Sequence, residues 1–498
     1  MYRNSRLAIL LPILLAAAVV LGLLLGRYLG RNTPEAQLRN LVEQLTHPTN
    51  KLAYTLSLIE TEYVDSVSMD SLSEQVIPLL MEELDPHSVY IPASEMAEIN
   101  EPLDGEFDGI GVVFNMATDT VIVLNVIPSG PSDKAGVVAG DRIVRINDSL
   151  VAGQQIAQRE IMRRLRGKRG SEVRLGLERR GIDELVEVTV VRDKIPIRSL
   201  TAALMLTGDI AFVKLDQFAR TSHTELLEAL STLRTQGMCK LILDLRGNGG
   251  GLLEQAIGMA GFFLPRGAVI VSTEGRAVPP RAYTAPVDGA FLRGPVVVLI
   301  DENSASASEI VSGAIQDWDR GVIVGRRTFG KGLVQKPIPL PDGSMIRLTV
   351  SRYYTPTGRC IQKPYENGKM EEYHHDLIDR YNRGELMSAD SIHFPDSMKY
   401  NTLVTERTVY GGGGIMPDVF IPVDTTRYTD YHRKLVASGL VNRVSMNYLD
   451  RNRNQMMAKY PKFQQYKQDF VVGEDIMEEL LKMAGDEKIE FEEEQYNC

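Results

Sequence analysis

Residues 295–318 read PVVVLIDENSASASEIVSGAIQDW: a valine-rich apolar run, a loop crowded with small hydroxyl residues, then a helical pattern. The same order of strand, loop and helix recurs on both sides. DIAFVKLDQF (209–218) reads as a strand and TELLEALSTLRTQ (224–236) as a helix; KLILDLRG (240–247) is a strand, LLEQAIGMAGFFL (252–264) a helix and GVIVG (321–325) a strand. Such alternation argues for an α/β layer on a largely parallel sheet.

Outward from this core the pattern changes. Towards the N-terminus, FDGIGVVFNM (107–116), TVIVLNVI (120–127), RIVRIN (142–147), SEVRLGLERR (171–180) and ELVEVTVVRD (184–193) read as strands, with one helical interruption at QQIAQREIMRRLR (154–166). Together they predict a mostly β module over 104–194. Before it, LAYTLSLIETEYV (52–64) and LSEQVIPLLMEEL (72–84) space their apolar residues three and four apart, so 35–103 is expected to be a small helical region. The core is expected over 195–425, with a polar insertion or long loop at 363–400. The run Gly411–Gly414 then turns into a final strand, IMPDVFIPV, and a charged helical tail occupies 426–498.

With 498 residues the chain is too long for one ordinary core, and roughly two to four folded units are expected. Its 44% hydrophobic and 24% charged residues suit folded domains. The net charge of −10, with no long basic stripe, excludes nucleic acid as a partner class. The densest basic stretch, RRLRGKRG (163–170), reads as a solvated helix end and turn. Cys239, Cys360 and Cys498 are too few and too widely spaced for a disulfide framework or a zinc site. Residues 7–26, LAILLPILLAAAVVLGLLLG, carry no charge and lie between Arg3 and Arg6 on one side and Arg27 and Arg31 on the other. Residues 1–34 are therefore expected to form an uncleaved membrane anchor that sends the rest of the chain out of the cytoplasm, to the periplasmic face of the inner membrane in a bacterium.

Several places could carry chemistry. Ser304, Ser306 and Ser308 cluster where a strand of the α/β layer meets a helix, a position where ligands bind and where the helix terminus favours a developing negative charge. Serines there also serve simply as helix caps. A second strand-to-helix loop, LDLRGNGGGLL (243–253), has glycines that let backbone N–H groups approach a ligand, or that merely make a flexible turn. A third segment, GRRTFGKG (325–332), superficially matches a phosphate-binding loop. Gly332 stands where that loop needs Ser or Thr, and a strand-like LVQKPIPL follows where it needs a helix, so nucleotide binding is discounted. Lys331 suits a different role, that of a base whose burial disfavours the ammonium form. None of the seven histidines, His47, His87, His223, His374, His375, His393 and His432, lies at an obvious strand-to-loop site, and His374–His375 lack a metal-ligand spacing. No metal or cofactor is expected.

Taken in order, LDPHSVYIP (84–92), GIGV (109–112), AGVVAGDRIVRIN (135–147), DLRGNGGG (244–251), SASASEI (304–310), FGKGLVQ (329–335) and GGGGIMPDV (411–419) resemble the C-terminal processing, or tail-specific, serine peptidase family across roughly residues 40–425. The resemblance implies a PDZ module ahead of a crotonase-like α/β peptidase core. It implies Ser306 as nucleophile, Lys331 as base, Gln335 as the residue that holds the lysine, and the N–H of Ala307 with that of Gly250 or Gly251 as oxyanion donors. Ser304 and Ser308 are left with capping. It also implies that a substrate's C-terminal tail adds as a strand beside Gly109, Ile110, Gly111 and Val112, its carboxylate held by their N–H groups. Partners implied are protein or peptide substrates, with room for a homo-oligomer or an activator protein. Two rivals have less support: a non-catalytic, membrane-tethered PDZ scaffold has no use for Ser306, Lys331 and Gln335 together, and acyl-CoA chemistry leaves the PDZ module unexplained.

Overall fold

The computed structural model describes residues 51–116, 119–424 and 429–492. The expected anchor, with the apolar stretch 7–26, lies outside the described residues; among those described, no helix is long and apolar enough to cross a membrane. The chain divides into two compact units, 1–84 and 85–498. The described part of the first consists of helices α1 (Lys51–Glu62) and α2 (Met69–Glu82), the latter capped by Ser68, whose hydroxyl accepts the Ser71 N–H at 3.2 Å.

The second unit corrects the expectation of one helical region up to residue 103. The Asp85 carboxylate accepts the N–H groups of His87 and Ser88 at 2.9 and 3.0 Å, turning the chain into a short strand, β1 (Val89–Ile91), before helix α3 (Met96–Asp104) begins. Three residues are too few to show a period, so nothing local marked this strand.

The β module follows as β2 (Glu106–Gly109), β3 (Val112–Asn115), β4 (Val121–Val126), a short helix α4 (Pro131–Lys134), β5 (Arg142–Ile146), β6 (Ser149–Leu150), helix α5 (Gln158–Leu165), β7 (Glu172–Glu178), β8 (Val186–Val191) and β9 (Asp193–Pro196). Its sheet runs β3-β4-β5-β7-β8, with β6 beside β5, around a core that includes Val123, Ile143, Ile161, Val173 and Leu175. Stretch 107–116, expected as one strand, is two. Gly111 takes φ 74°, a conformation that favours glycine, and between β2 and β3 the chain changes partners. β2 pairs with β9 as a two-stranded ribbon where the chain enters and leaves the module, and β3 is an edge strand.

The core alternates as expected: β10 (Leu200–Met205), β11 (Ile210–Leu215), α6 (Ser222–Thr235), β12 (Lys240–Asp244), α7 (Leu253–Gly261), β13 (Val269–Gly275), β14 (Val278–Thr284), β15 (Val296–Ile300), α8 (Ala307–Asp317), β16 (Val322–Gly325), β17 (Leu333–Pro339) and β18 (Met345–Tyr354). The main sheet has order β10-β11-β12-β15-β16-β21, where β21 is Val419–Phe420, and is parallel except for β10. A second, antiparallel sheet was not foreseen: β1, β13 and β17 all pair with β18, and β14 pairs with β13. Every residue of α8 is buried. Small residues permit this: a Cβ on Gly313 would stand 3.0 Å from Thr355 Cγ2 and 3.2 Å from Ile415 Cδ1.

The insertion is not structureless. It holds helix α9 (Met370–Asn382) and strand β19 (Lys399–Asn401), which pairs with β20 (Thr408–Tyr410). After residue 428 come helices α10 (Asp430–Ala437), α11 (Leu440–Lys459), α12 (Phe463–Asp469) and α13 (Glu474–Asp486), with a small core of Tyr431, Leu435, Leu440 and Ala484. Asp450 on α11 forms an ion pair with Arg142 of the β module at 2.5 Å.

Candidate active site

β15 delivers the chain to a tight loop that ends at Ser306, the residue preceding α8, with φ 55° and ψ −110°. A non-glycine residue is held in this sparsely populated conformation only when its surroundings over-determine it. Glu309 supplies part of that constraint. Its fully buried carboxylate accepts the N–H of Ser306 at 2.8 Å and that of Lys331 at 2.9 Å on Oε2, and on Oε1 the N–H of Gly330 at 2.8 Å and the Thr328 hydroxyl at 2.5 Å. All of these are donors, the set an acceptor-only carboxylate requires. Burial nonetheless pushes the Glu309 pKa up to about 7, against the pull of those bonds. From the other side the buried Tyr353 hydroxyl reaches the carbonyls of the same two residues, Lys331 at 2.6 Å and Ser306 at 3.0 Å.

Lys331 sits on an irregular segment between β16 and β17, which is also where the resemblance to a nucleotide loop ends: β17 follows directly, with no helix. Burial lowers the Lys331 pKa below the usual lysine value, helped by the charge of Arg347 and opposed by Glu309 and Asp85. Gln335 donates to Thr349 Oγ1 at 3.3 Å, at a bulge in the β17–β18 pairing. Thr349 donates in turn to Asp85 at 2.9 Å.

The serine loop is stapled to the glycine loop. Ser304 Oγ donates to Leu245 O at 2.8 Å, and Ser308 Oγ to Asn248 O at 2.9 Å. This corrects the expectation that these two serines cap the helix: both are fully buried and pin one strand-to-helix loop against the next. Gly250 comes so close that a Cβ there would lie 2.8 Å from Ser306 Cβ and 3.0 Å from the Ala307 nitrogen. The Gly250 N–H is donated to Asn248 Oδ1 at 2.9 Å. Gly251 lies against Phe218, whose carbonyl oxygen would be 2.3 Å from a Cβ.

In the β module, Gly109 ends β2 and Val112 begins β3, while the Ile110 side chain is 3% exposed and belongs to the core. The carbonyls of Ile110 and Gly111 accept from Ser132 and Ile127, each at 3.0 Å, so a ligand at this turn would meet N–H groups. Within the basic stretch, Arg163 and Arg164 pair with Glu160, as a helix end should. Arg166 departs from that expectation: it pairs with Glu101 of α3 at 2.5 Å and stacks over Phe107.

Sequence reasoning missed several of these residues. His87, passed over among the histidines, is near enough to Lys331 that their charges interact; burial first, and then that charge, push its pKa down to about 3. Glu309 was written in the chain as Ser306-x-x-Glu309, the pattern of a capping box, and that signal could have found it. Tyr353 carried no local signal.

A strained serine at a buried helix's N-terminus, braced against a partly buried lysine and preceded by a separate β module, defines a modular α/β protein with the core of a serine-type peptidase. Comparison with known proteins agrees. Peptidase family S41 matches residues 209–368, the PDZ domain matches 109–190, and a family of unknown function, DUF8443, matches 431–498. The chain is 37% identical over 309 residues to a carboxy-terminal-processing protease of Bartonella bacilliformis, covering 61% of this chain and 70% of that one. It is 31% identical over 315 residues to the carboxy-terminal processing protease CtpA of Bacillus subtilis, covering 63% and 66%. Among solved structures, a photosystem II D1 C-terminal processing protease matches at 26% identity with a TM-score of 0.40, over 76% of this chain and 88% of that one. The chain belongs to peptidase family S41, with the carboxy-terminal processing proteases.

Proposed function

We propose that this protein is a serine endopeptidase in which Ser306 is the nucleophile and Lys331 its base, acting on proteins chosen by their C-terminal tails. The supporting observation is the double brace between these residues: one carboxylate, Glu309, holds both N–H groups, and one hydroxyl, Tyr353, reaches both carbonyls. Neutral Lys331 takes the Ser306 Oγ proton as that oxygen attacks the scissile carbonyl carbon. The peptide nitrogen leaves with the proton and an acyl ester remains on Ser306. Lys331 then takes a proton from water, the resulting hydroxide attacks the ester, and the proton returns to Oγ as the new carboxyl end departs. The developing oxyanion is assigned to the N–H of Ala307 and that of Gly251, since the Gly250 N–H is occupied by Asn248. Gln335 steadies the lysine segment through Thr349.

The tail of the substrate would add beside the edge strand β3, its carboxylate at the N–H groups of residues 109–112. The apolar stretch 7–26 would hold the enzyme to a membrane with its catalytic part outside the cytoplasm. The test is cleavage of an unstructured protein with an apolar C-terminal tail by the full chain, beside Ser306→Ala and Lys331→Ala, with fragments read by mass. Cleavage by the parent alone supports the proposal. Full turnover by either variant ends it, and tail binding without cleavage by the parent favours a scaffold.

A further inference from the structure

Helix α9 lies in the insertion, which the mechanism above does not use, yet it brings Tyr373 to the lysine segment. Tyr373 is 4% exposed, and its hydroxyl is the meeting point of two side chains. His87 Nε2 lies 2.9 Å from it, and Gln362 Nε2 donates to it at 3.3 Å. The other end of the same amide, Gln362 Oε1, accepts the Gly332 N–H at 2.8 Å. One residue on, the Lys363 N–H donates to Gly330 O at 2.9 Å. Gly330 and Gly332 flank Lys331, so segment 362–363 grips the base from both sides. The approach is tight: a Cβ on Gly332 would stand 2.8 Å from the Gln362 nitrogen. Farther along α9, Arg380 donates to the carbonyls of Arg327 and Thr328 at 2.6 and 3.0 Å, fixing the start of the same segment.

We propose that Tyr373 is a positioning residue for the base: its hydroxyl ties Gln362 to His87 and so fixes the orientation of residues 330–332 and of the Lys331 side chain between them. The proposal rests on Lys331 being the base. The hydroxyl oxygen accepts from Gln362 and, with two lone pairs and one proton, pairs with His87 Nε2 as donor or acceptor according to the His87 tautomer. A neutral imidazole is what the site supports, since burial and the neighbouring lysine charges both oppose protonation. Facing Lys331 are Arg347, Glu309, Asp85 and His87; facing His87 are also Lys363 and His374. The ring of Tyr373 has a separate task, packing edge-on to Phe329 at 5.9 Å beneath Lys363 Nζ at 4.0 Å. Removing the hydroxyl alone therefore separates the two roles.

The experiment compares full-length parent, Tyr373→Phe, His87→Gln, their double variant and Lys331→Ala, measuring kcat, KM and kcat against pH together with thermal stability. Expected for Tyr373→Phe is a kcat lowered about tenfold with KM and melting temperature held, and a displaced alkaline limb. The double variant should be no worse than the more impaired single, because both break one link. Wild-type kcat and pH profile in Tyr373→Phe overturn the proposal, as does a loss matched by a fall in melting temperature. Turnover by Lys331→Ala is a different failure, that of the base assignment itself.

Discussion

Glu309 Oε2 accepts the backbone N–H of Ser306 at 2.8 Å from three residues further along the chain. The same oxygen holds the N–H of Lys331, so replacing it confronts two donors with a third. Glu309→Gln is expected to lower kcat by about ten- to a hundredfold, the scale of one or two lost charge-assisted hydrogen bonds. With the carboxyl pKa pushed up to about 7, protonation as pH falls through that value should loosen the brace in the parent. The parent's activity then shows an acid limb near 7 that the glutamine variant lacks. Kinetics across pH 5–9 on both proteins check this.

Lys331 works only as the neutral amine, so activity should rise with pH, and because burial lowers its pKa the midpoint of that rise should fall below the ordinary lysine value. Arg347 contributes to that lowering. Arg347→Gln removes a repelling positive charge, raises the lysine pKa and moves the limb of kcat/KM to higher pH. A limb that stays in place, or moves down, contradicts the electrostatic account.

The two glycines of the 244–251 loop nearest the serine should fail differently when given a methyl. At Gly250, φ 106°, the added carbon meets Ser306 Cβ at 2.8 Å and Ala305 O at 2.9 Å; at Gly251, φ 146°, it meets Phe218 O at 2.3 Å. Gly250→Ala should displace the nucleophile and abolish most activity, with a backbone cost of about 1–2 kcal/mol. Gly251→Ala must push apart the contact of this loop with Phe218, and should lose stability along with activity. Denaturant melts beside assays separate the two.

The α/β layer was legible because each of its strands and helices carries its own pattern within ten or so residues; PVVVLID and SEIVSGAIQDW announce themselves. The second sheet was not, because β1 has three residues and exists through pairings such as Val89 with Arg347. The site divides the same way. Ser306, Lys331 and the glycine loop lie in motifs of recognisable order. Tyr353 and Tyr373 reach the lysine segment only through long-range packing, and a lone tyrosine in a strand or helix looks like any core residue; His87 lies within the ordered motif LDPHSVYIP, but nothing in that stretch told which lysine it would face. Ser304 and Ser308 were visible but given the wrong task, because a serine near a helix start looks the same whether it caps its own helix or staples a neighbouring loop.

The far end of α8 depends on a buried ion pair. Arg359 and Asp317 are both 0% exposed and bond at 2.5 Å; the same guanidinium reaches Gln316 Oε1 and Tyr410 O, while Thr357 donates to the carboxylate. Arg359→Met strands a buried carboxylate and should cost about 3–5 kcal/mol. Arg359→Met with Asp317→Leu should recover part of that loss, since no charge is then left unpaired. Equal melting of single and double variants would mean that the pair is not what holds this end of the helix.

Tail recognition can be separated from chemistry at Gly111. Its φ of 74° suits glycine, and an added Cβ would stand 3.1 Å from Ile195 Cδ1 and 3.4 Å from Pro131 Cδ. Gly111→Ala therefore reshapes the turn whose N–H groups would hold the tail carboxylate, without touching Ser306 or Lys331. If tails are captured there, the variant raises KM for a substrate with a free apolar C-terminus and leaves its kcat near that of the parent. The same substrate ending in a carboxamide lacks the charge and should already show a raised KM with the parent enzyme, and Gly111→Ala should then add little. Equal KM for free and amidated tails in the parent would place selection elsewhere in the molecule.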